Sequence, residues 1–288
     1  IFIFDKFFYY ELKQLGVKNI YYLPLAVNTD RLNSQLNSQT REEKDRFSAD
    51  ISFVGSMYHK NSYDDIKDKL PPYLRGYFDA AMLAQLNIYG DNIIDELLTV
   101  DILKQLSEFV DFRQDKRAFS DIRLVFESTF LGFKLANIER VRTLNLLAKK
   151  NKVALYTDEQ DTSLINVDFK GTVDYMNDMP KVFNNSSINL NMTIRNIRTG
   201  IPLRVWDILG AGGFLLTNYQ IELTDYFKNE ESIVYYEDMY DCCKKAEYYL
   251  LHEDKRRQIA AKGHELVSKK HSYINRVKYI LDVIGKMS

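Results

Sequence analysis

Asn189-Leu-Asn-Met-Thr-Ile-Arg-Asn-Ile-Arg-Thr-Gly-Ile-Pro-Leu-Arg-Val-Trp-Asp-Ile-Leu-Gly-Ala-Gly-Gly213 runs from strand to loop to helix to strand. Pro202 suits a first helical turn, where its missing N–H costs nothing, and Thr199 or Gly200 can cap. Free N–H groups and the helix dipole then face the carboxyl ends of the strands, where open α/β sheets bind ligands. Arg195, Arg198 and Arg204 cluster at that end, so an anion, most simply a diphosphate, would meet dipole, backbone donors and guanidinium forks together. Asp207 lies five residues past Pro202, at a depth where a carboxylate can accept from vicinal hydroxyls such as those of a ribose. The bland alternative is that Arg204 and Asp207 form an ordinary i, i+3 surface pair worth ~0.3 kcal/mol. Three arginines, a Thr-Gly-x-Pro start and a Gly-Ala-Gly-Gly stop in one short span favour the anion site. The chain has only 12 Gly and 5 Pro among 288 residues, so each is informative.

The same alternation extends outward. Strands are expected at 50–54, 152–157, 167–169, 188–193, 213–217 and 232–236. Helices are expected at 179–185, 202–210, 222–227, 239–251, 253–270 and 272–286. Repeated β-α units of this kind form a parallel, doubly wound, Rossmann-like sheet with helices on both faces. Residues 1–30 read as one further β-α-β unit, too small to bury a core of its own. The polar stretch 31–48 loses apolar periodicity and reads as a linker. Residues 62–148 show helical spacing at 64–70, 73–87, 91–110 and 119–149, which predicts a helical insertion into a domain spanning 49–288. The chain opens without Met inside an apparent strand, and is therefore expected to be part of a longer protein.

Composition narrows the function classes. Lys+Arg is 39 and Asp+Glu is 40, a net charge of −1 that gives no bulk-charge case for nucleic acid or anionic membrane. The two cysteines, Cys242 and Cys243, exclude a disulfide framework and a four-cysteine zinc site, and point to a reducing, cytoplasmic setting. The longest apolar stretch, Ile208 to Leu216, is far below the ~20 residues of a membrane span. No G-x-G-x-x-G follows a strand and no P-loop motif occurs, so dinucleotide oxidoreductases and P-loop NTPases lose support. His59 could reach the cleft but reads first as a loop histidine, while His252, His264 and His271 read as surface residues of terminal helices.

Gly200 to Asn218, followed by Glu222-Leu-Thr-Asp-Tyr-Phe227, resembles the C-terminal domain of the spore-maturation (CgeB-type) glycosyltransferases, which have the two-domain glycosyltransferase-B fold. Glu253 to Ala261 and His271 to Arg276 fit the terminal helices of that family. Phe4-Asp5-Lys6 and Tyr21 to Ala26 resemble the end of its N-terminal domain. The resemblance implies a bacterial enzyme that takes a nucleotide-diphosphate sugar as donor, needs no obligatory metal or other cofactor, and glycosylates a glycan or protein acceptor. It places Asp207 on the donor ribose, Arg204 and the loop 198–201 near the diphosphate, and Gly55-Ser56 at the first turn of the donor domain. Gly171-Thr172-Val173 falls where backbone atoms hold the nucleobase. Many retaining relatives carry a glutamate eight positions before the ribose-binding acid; Thr199 stands there, which leaves retaining and inverting outcomes both open. The sequence names no catalytic base. Two other readings compete: a non-catalytic binding module whose insertion 62–148 docks a partner protein, and a non-transferase enzyme of the same fold.

Overall fold

In the computed structural model, residues 1–111 and 122–286 are described. The chain opens with β1 (Phe2–Ile3), α1 (Lys6–Gln14) and β2 (Tyr21–Tyr22), the two strands pairing in parallel. Asp5 caps α1 by accepting from the Phe7 N–H at 2.9 Å, so the helix starts ahead of the apolar spacing that begins at Tyr9.

The segment 31–48, read as a linker because it lacks apolar periodicity, is helical over most of its length, in α2 (Thr29–Asn37) and α3 (Arg41–Arg46). Asn28 caps α2, and Thr40 with Glu43 forms a capping box on α3. Caps act locally and need no apolar stripe, and the buried Leu32 and Phe47 anchor the pair to the core.

After β3 (Ala49–Val54) come α4 (Ser62–Ile66), α5 (Pro72–Gln85), α6 (Ile94–Leu97), α7 (Val100–Ser107) and α8 (Ile122–Val125). A π-helical segment, Phe126–Gly132, leads into α9 (Phe133–Leu147). No strand occurs among the described residues of 62–148, and the opening residues of the helix expected at 119–149 lie outside them. These helices bury a cluster of their own around Tyr63, Leu74, Phe78, Leu106, Phe126 and Leu131.

From there strands and helices alternate. The order is β4 (Val153–Tyr156), β5 (Val167–Phe169), α10 (Met179–Asn185), β6 (Ser186–Asn191), α11 (Leu203–Gly210) and β7 (Leu215–Asn218). Next come α12 (Leu223–Tyr226), β8 (Val234–Tyr236), α13 (Met239–Leu251), α14 (Glu253–Lys270) and α15 (Tyr273–Gly285). The six-stranded sheet is wholly parallel, with order β5-β4-β3-β6-β7-β8. One buried cluster, around Trp206, Val205 and Phe183, includes α10 and α11; the other, around Ile51, Leu144 and Tyr249, includes α9 and α13. This is a doubly wound α/β fold, and its strand order reverses between β3 and β6.

At that reversal Ser52 pairs with Asn189 across the strands. The Ser52 hydroxyl donates to Asn189 Oδ1 at 2.8 Å, and Asn189 Nδ2 donates to the carbonyls of Phe183 at 2.8 Å and Phe214 at 3.3 Å. The two ends of the chain also meet. Val27 forms a bridge with Ser272, and the Arg276 guanidinium donates to the carbonyls of Pro24 at 2.7 Å and Leu25 at 2.9 Å. Among the described residues, no helix is long and apolar enough to cross a membrane.

Gly213 enters β7 so close to the Asn189 network that a Cβ there would stand 2.6 Å from both Asn189 Nδ2 and the Phe183 carbonyl oxygen. A backbone oxygen cannot swing aside as a long side chain can. Gly213→Ala is therefore expected to lower unfolding stability by about 1–3 kcal/mol, read as a fall in the urea midpoint at unchanged slope.

Candidate functional site

The carboxyl ends of β3, β4 and β5, together with the start of α11, enclose a cavity of about 280 Å³. Val54, Gly55 and Ser56 line it from β3; Tyr156, Thr157 and Asp158 from β4; Thr172, Val173 and Tyr175 from the loop after β5; Met179 from α10; and Arg204 from α11. A larger cavity of about 520 Å³ lies between α1 and α12, walled by Phe7, Tyr10, Ile221 and neighbouring polar residues. We place the candidate site in the smaller one because it sits where the sheet reverses and several strand ends converge.

Arg204 and Asp207 do form an i, i+3 pair, at 3.6 Å, but its carboxylate is buried and its guanidinium half-buried at the cavity wall. Asp207 is only 8% exposed, accepts from the Tyr175 hydroxyl at 3.1 Å, and is pushed up to about 6 by burial against the opposing pull of Arg204 and Tyr175. Tyr175 is pushed up to about 12, first by burial and then by Asp207. The Arg204 guanidinium also contacts Met179 Sδ and lies 5.5 Å from the Phe183 ring centre. The carboxylate and the guanidinium are thus held by the protein itself at the cavity wall.

Of the residues singled out in the sequence, Gly55, Ser56, Thr172, Val173 and Arg204 line the cavity, and Asp207 adjoins it through Arg204 and Tyr175. Gly171 stands just behind the wall, its carbonyl accepting from the Thr157 N–H at 3.0 Å. The remaining arginines do not join them. Arg195 is buried against Glu139 at 3.3 Å and over the Tyr89 ring, and Arg198 is held by Glu127 at 3.1 Å and Asp95 at 3.3 Å. Their partners come from the helical region 62–148, which sequence spacing could not bring near residue 198. Burial pushes Glu127 up to about 7 even beside Arg198.

The expected cap also differs. Pro202 itself is the N-cap residue of α11, and no side chain caps it. Thr199 turns instead to the first helical unit, its hydroxyl 2.9 Å from Asp5 and 2.6 Å from Glu222. Asp5 Oδ2 accepts from the N–H groups of Arg198 at 2.9 Å and Thr199 at 3.2 Å, and Gly200 packs against the Asp5 backbone. The loop that precedes α11 is therefore stapled down by the start of the chain. His59 meets Glu159 at 2.6 Å, and His271, expected at the surface, is buried against Trp206 and lowered to about 4, chiefly by burial.

Sequence reasoning missed Tyr175 and the Thr157-Asp158 turn. The latter had a usable signal, since Thr157 closes the strand expected at 152–157 and Asp158 follows it directly. Tyr175 had none, because only the fold brings the loop after β5 over α11. Among the described residues, no group of three His, Cys, Asp or Glu side chains could hold a metal ion.

A family model described as glycosyl transferase-like matches residues 138–282, half of the chain. The chain belongs to the glycosyl transferase-like family. Comparison with the curated proteins gives no match. Among solved structures, Anabaena Alr3699/HepE in complex with UDP-glucose aligns with a TM-score of 0.55 at 8% identity, over 99% of this chain and 63% of that one. TarM aligns at 0.50 and 10% identity, over 98% of this chain and 42% of that one. Sucrose-phosphate synthase from Thermosynechococcus elongatus aligns at 0.50 and 10% identity, over 99% and 57%. At such identities the likeness is one of fold, the glycosyltransferase-B fold. This member of the family spans less than two thirds of the length of those structures.

Asp207 gives the site a titration signature. Its folded carboxyl titrates above the ordinary 3.8, so the folded state holds the proton more tightly, and stability falls as pH rises from about 4 to about 6. The loss is of order 2–3 kcal/mol at ~1.4 kcal/mol per pH unit. Asp207→Asn should remove that part of the slope while leaving the contribution of Glu127. Urea midpoints of parent and variant at pH 4.5 and 7 measure it.

Proposed function

We propose that this chain binds a nucleotide-diphosphate sugar at the carboxyl ends of β3, β4 and β5, and serves as the donor-binding part of a CgeB-type glycosyltransferase acting on a glycan or protein acceptor. The observation that carries this reading is the convergence in one cavity of Gly55, Ser56, Thr172, Val173 and Arg204, with Asp207 behind Arg204. The family match and the likeness in fold to a structure bound to UDP-glucose support it. Residues 49–288 are assigned as the donor domain, 1–30 as the closing unit of an acceptor domain and 31–48 as the connection between them.

In this reading the base lies against the backbone near Gly171-Thr172-Val173, the ribose hydroxyls bond Asp207, and Arg204 meets the diphosphate. Stabilising the leaving diphosphate by a fixed guanidinium and the amides at the start of α11 is electrostatic catalysis that needs no metal. Arg195 and Arg198 are assigned to the scaffold, where buried carboxylates already neutralise them. On binding, the Tyr175 hydroxyl and Arg204 yield part of their hold on Asp207 to the ligand.

Calorimetry with UDP, GDP, ADP and TDP in EDTA tests the site, with binding of at least one expected. Asp207→Asn should weaken that ligand tenfold to a hundredfold, since a charge-assisted hydrogen bond is worth ~1.5–3 kcal/mol. Arg204→Ala should cost the nucleotide more than the nucleoside. Folded variants whose affinity stays within twofold of the parent would overturn the assignment of these residues.

A further inference from the structure

Two arginines are buried where α9 and the loop after β6 meet the carboxyl ends of β3 and β6. Arg195 has its counter-ion in Glu139. Arg140, 7% exposed, forms no ion pair among the described residues. Its guanidinium donates to the Ser56 carbonyl and, at 2.7 Å, to the Met192 carbonyl, and it lies 5.2 Å from the Phe53 ring centre and 4.9 Å from that of Tyr58. Its Nε is buried with no hydrogen-bond partner. Carbonyls and ring faces soften a buried positive charge but do not cancel it.

The charge sits directly behind the cavity, since Ser56 lines it. The Ser56–Met57 peptide is trans, so its N–H points away from the carbonyl that Arg140 grips. Neither the Ser56 nor the Met57 N–H has a hydrogen-bond partner among the described residues. Tyr58 follows in a left-handed conformation, φ 50°, and stacks on Phe133 at 4.8 Å, which fixes the turn from its far side.

We propose that Arg140 is a positioning residue for the phosphates of a bound nucleoside diphosphate. It fixes the Gly55-Ser56 turn by its carbonyl, and the anion answers a buried positive charge that has no ion pair of its own, its neighbour Glu139 being paired with Arg195. This rests on the donor-site reading above.

The test compares the parent, Arg140→Met and Arg140→Lys for affinity toward the diphosphate that the parent binds and toward the matching nucleoside. Arg140→Met should lose at least tenfold toward the diphosphate and less than threefold toward the nucleoside, and Arg140→Lys should recover much of the difference. A merely structural role would weaken both ligands alike and would not respond to the restored charge; that result overturns the proposal. If Arg140→Met does not fold, Arg140→Gln, which keeps hydrogen-bond donors but not the charge, takes its place under the same expectation. In the parent itself, inorganic pyrophosphate should raise the melting temperature beyond sodium chloride of equal ionic strength; an equal effect also overturns the proposal. A parent that binds none of the four diphosphates overturns the donor-site reading and the proposal together. Binding retained in Arg140→Met overturns the role of Arg140 alone.

Discussion

The pairing of β3 with β6 sets the geometry of everything around it. Each strand begins one wing of the sheet, and the connections leaving them run in opposite directions, so a crevice opens where they part. A slip by one residue would exchange the side chains of the two covered faces, and the buried bond from Ser52 to Asn189 resists it. Asn189 also holds the carbonyls of Phe183 and Phe214, at the end of α10 and the entry to β7. One amide thereby fixes three segments that frame α11, and α11 delivers Arg204 and Asp207.

What the sequence makes legible is what depends on local pattern. The helices at 179–185, 239–251 and 253–270 match their expected bounds, and the strand at 167–169 does as well. Pro202 and Gly210 to Gly213 mark the two ends of α11 to within a residue. Segment 31–48 was opaque because capping, not apolar periodicity, makes its helices. The arginines were opaque for a different reason. Arg195, Arg198 and Arg204 look equivalent along the chain, yet only Arg204 reaches the cavity, because the carboxylates that hold the other two lie more than fifty residues away in sequence. His271 was misjudged because a terminal helix looks solvent-facing until Trp206 and Arg276 are seen around it.

The helical region between β3 and β4 is more than an appendage. Glu127, Asp95 and Glu139 reach from it into the loop that leaves β6, and Asn92 adds a hydrogen bond to the Arg198 side of that loop. Lys134 answers Asp64 within the region itself. Any rearrangement of these helices is thus transmitted to residues 193–200, the stretch that Asp5 grips from the opposite side. The loop is held between two bodies of structure that are far apart in sequence.

The contact of Pro24, Leu25 and Val27 with His271, Ser272 and Arg276 has a consequence for biosynthesis. The early segment leaves the ribosome long before its partners exist. At ordinary elongation rates the interval is roughly 12–50 s. During that time Val27 and Leu32, which finish among the apolar side chains of α11, have no complete surface to cover them, and the small parallel pair β1–β2 has only its own helix for support. Val27 and Leu32 therefore wait for α11 to be covered, and a stop codon just before His271 would remove the bridge to Val27 and the Arg276 hold on the Pro24 and Leu25 carbonyls.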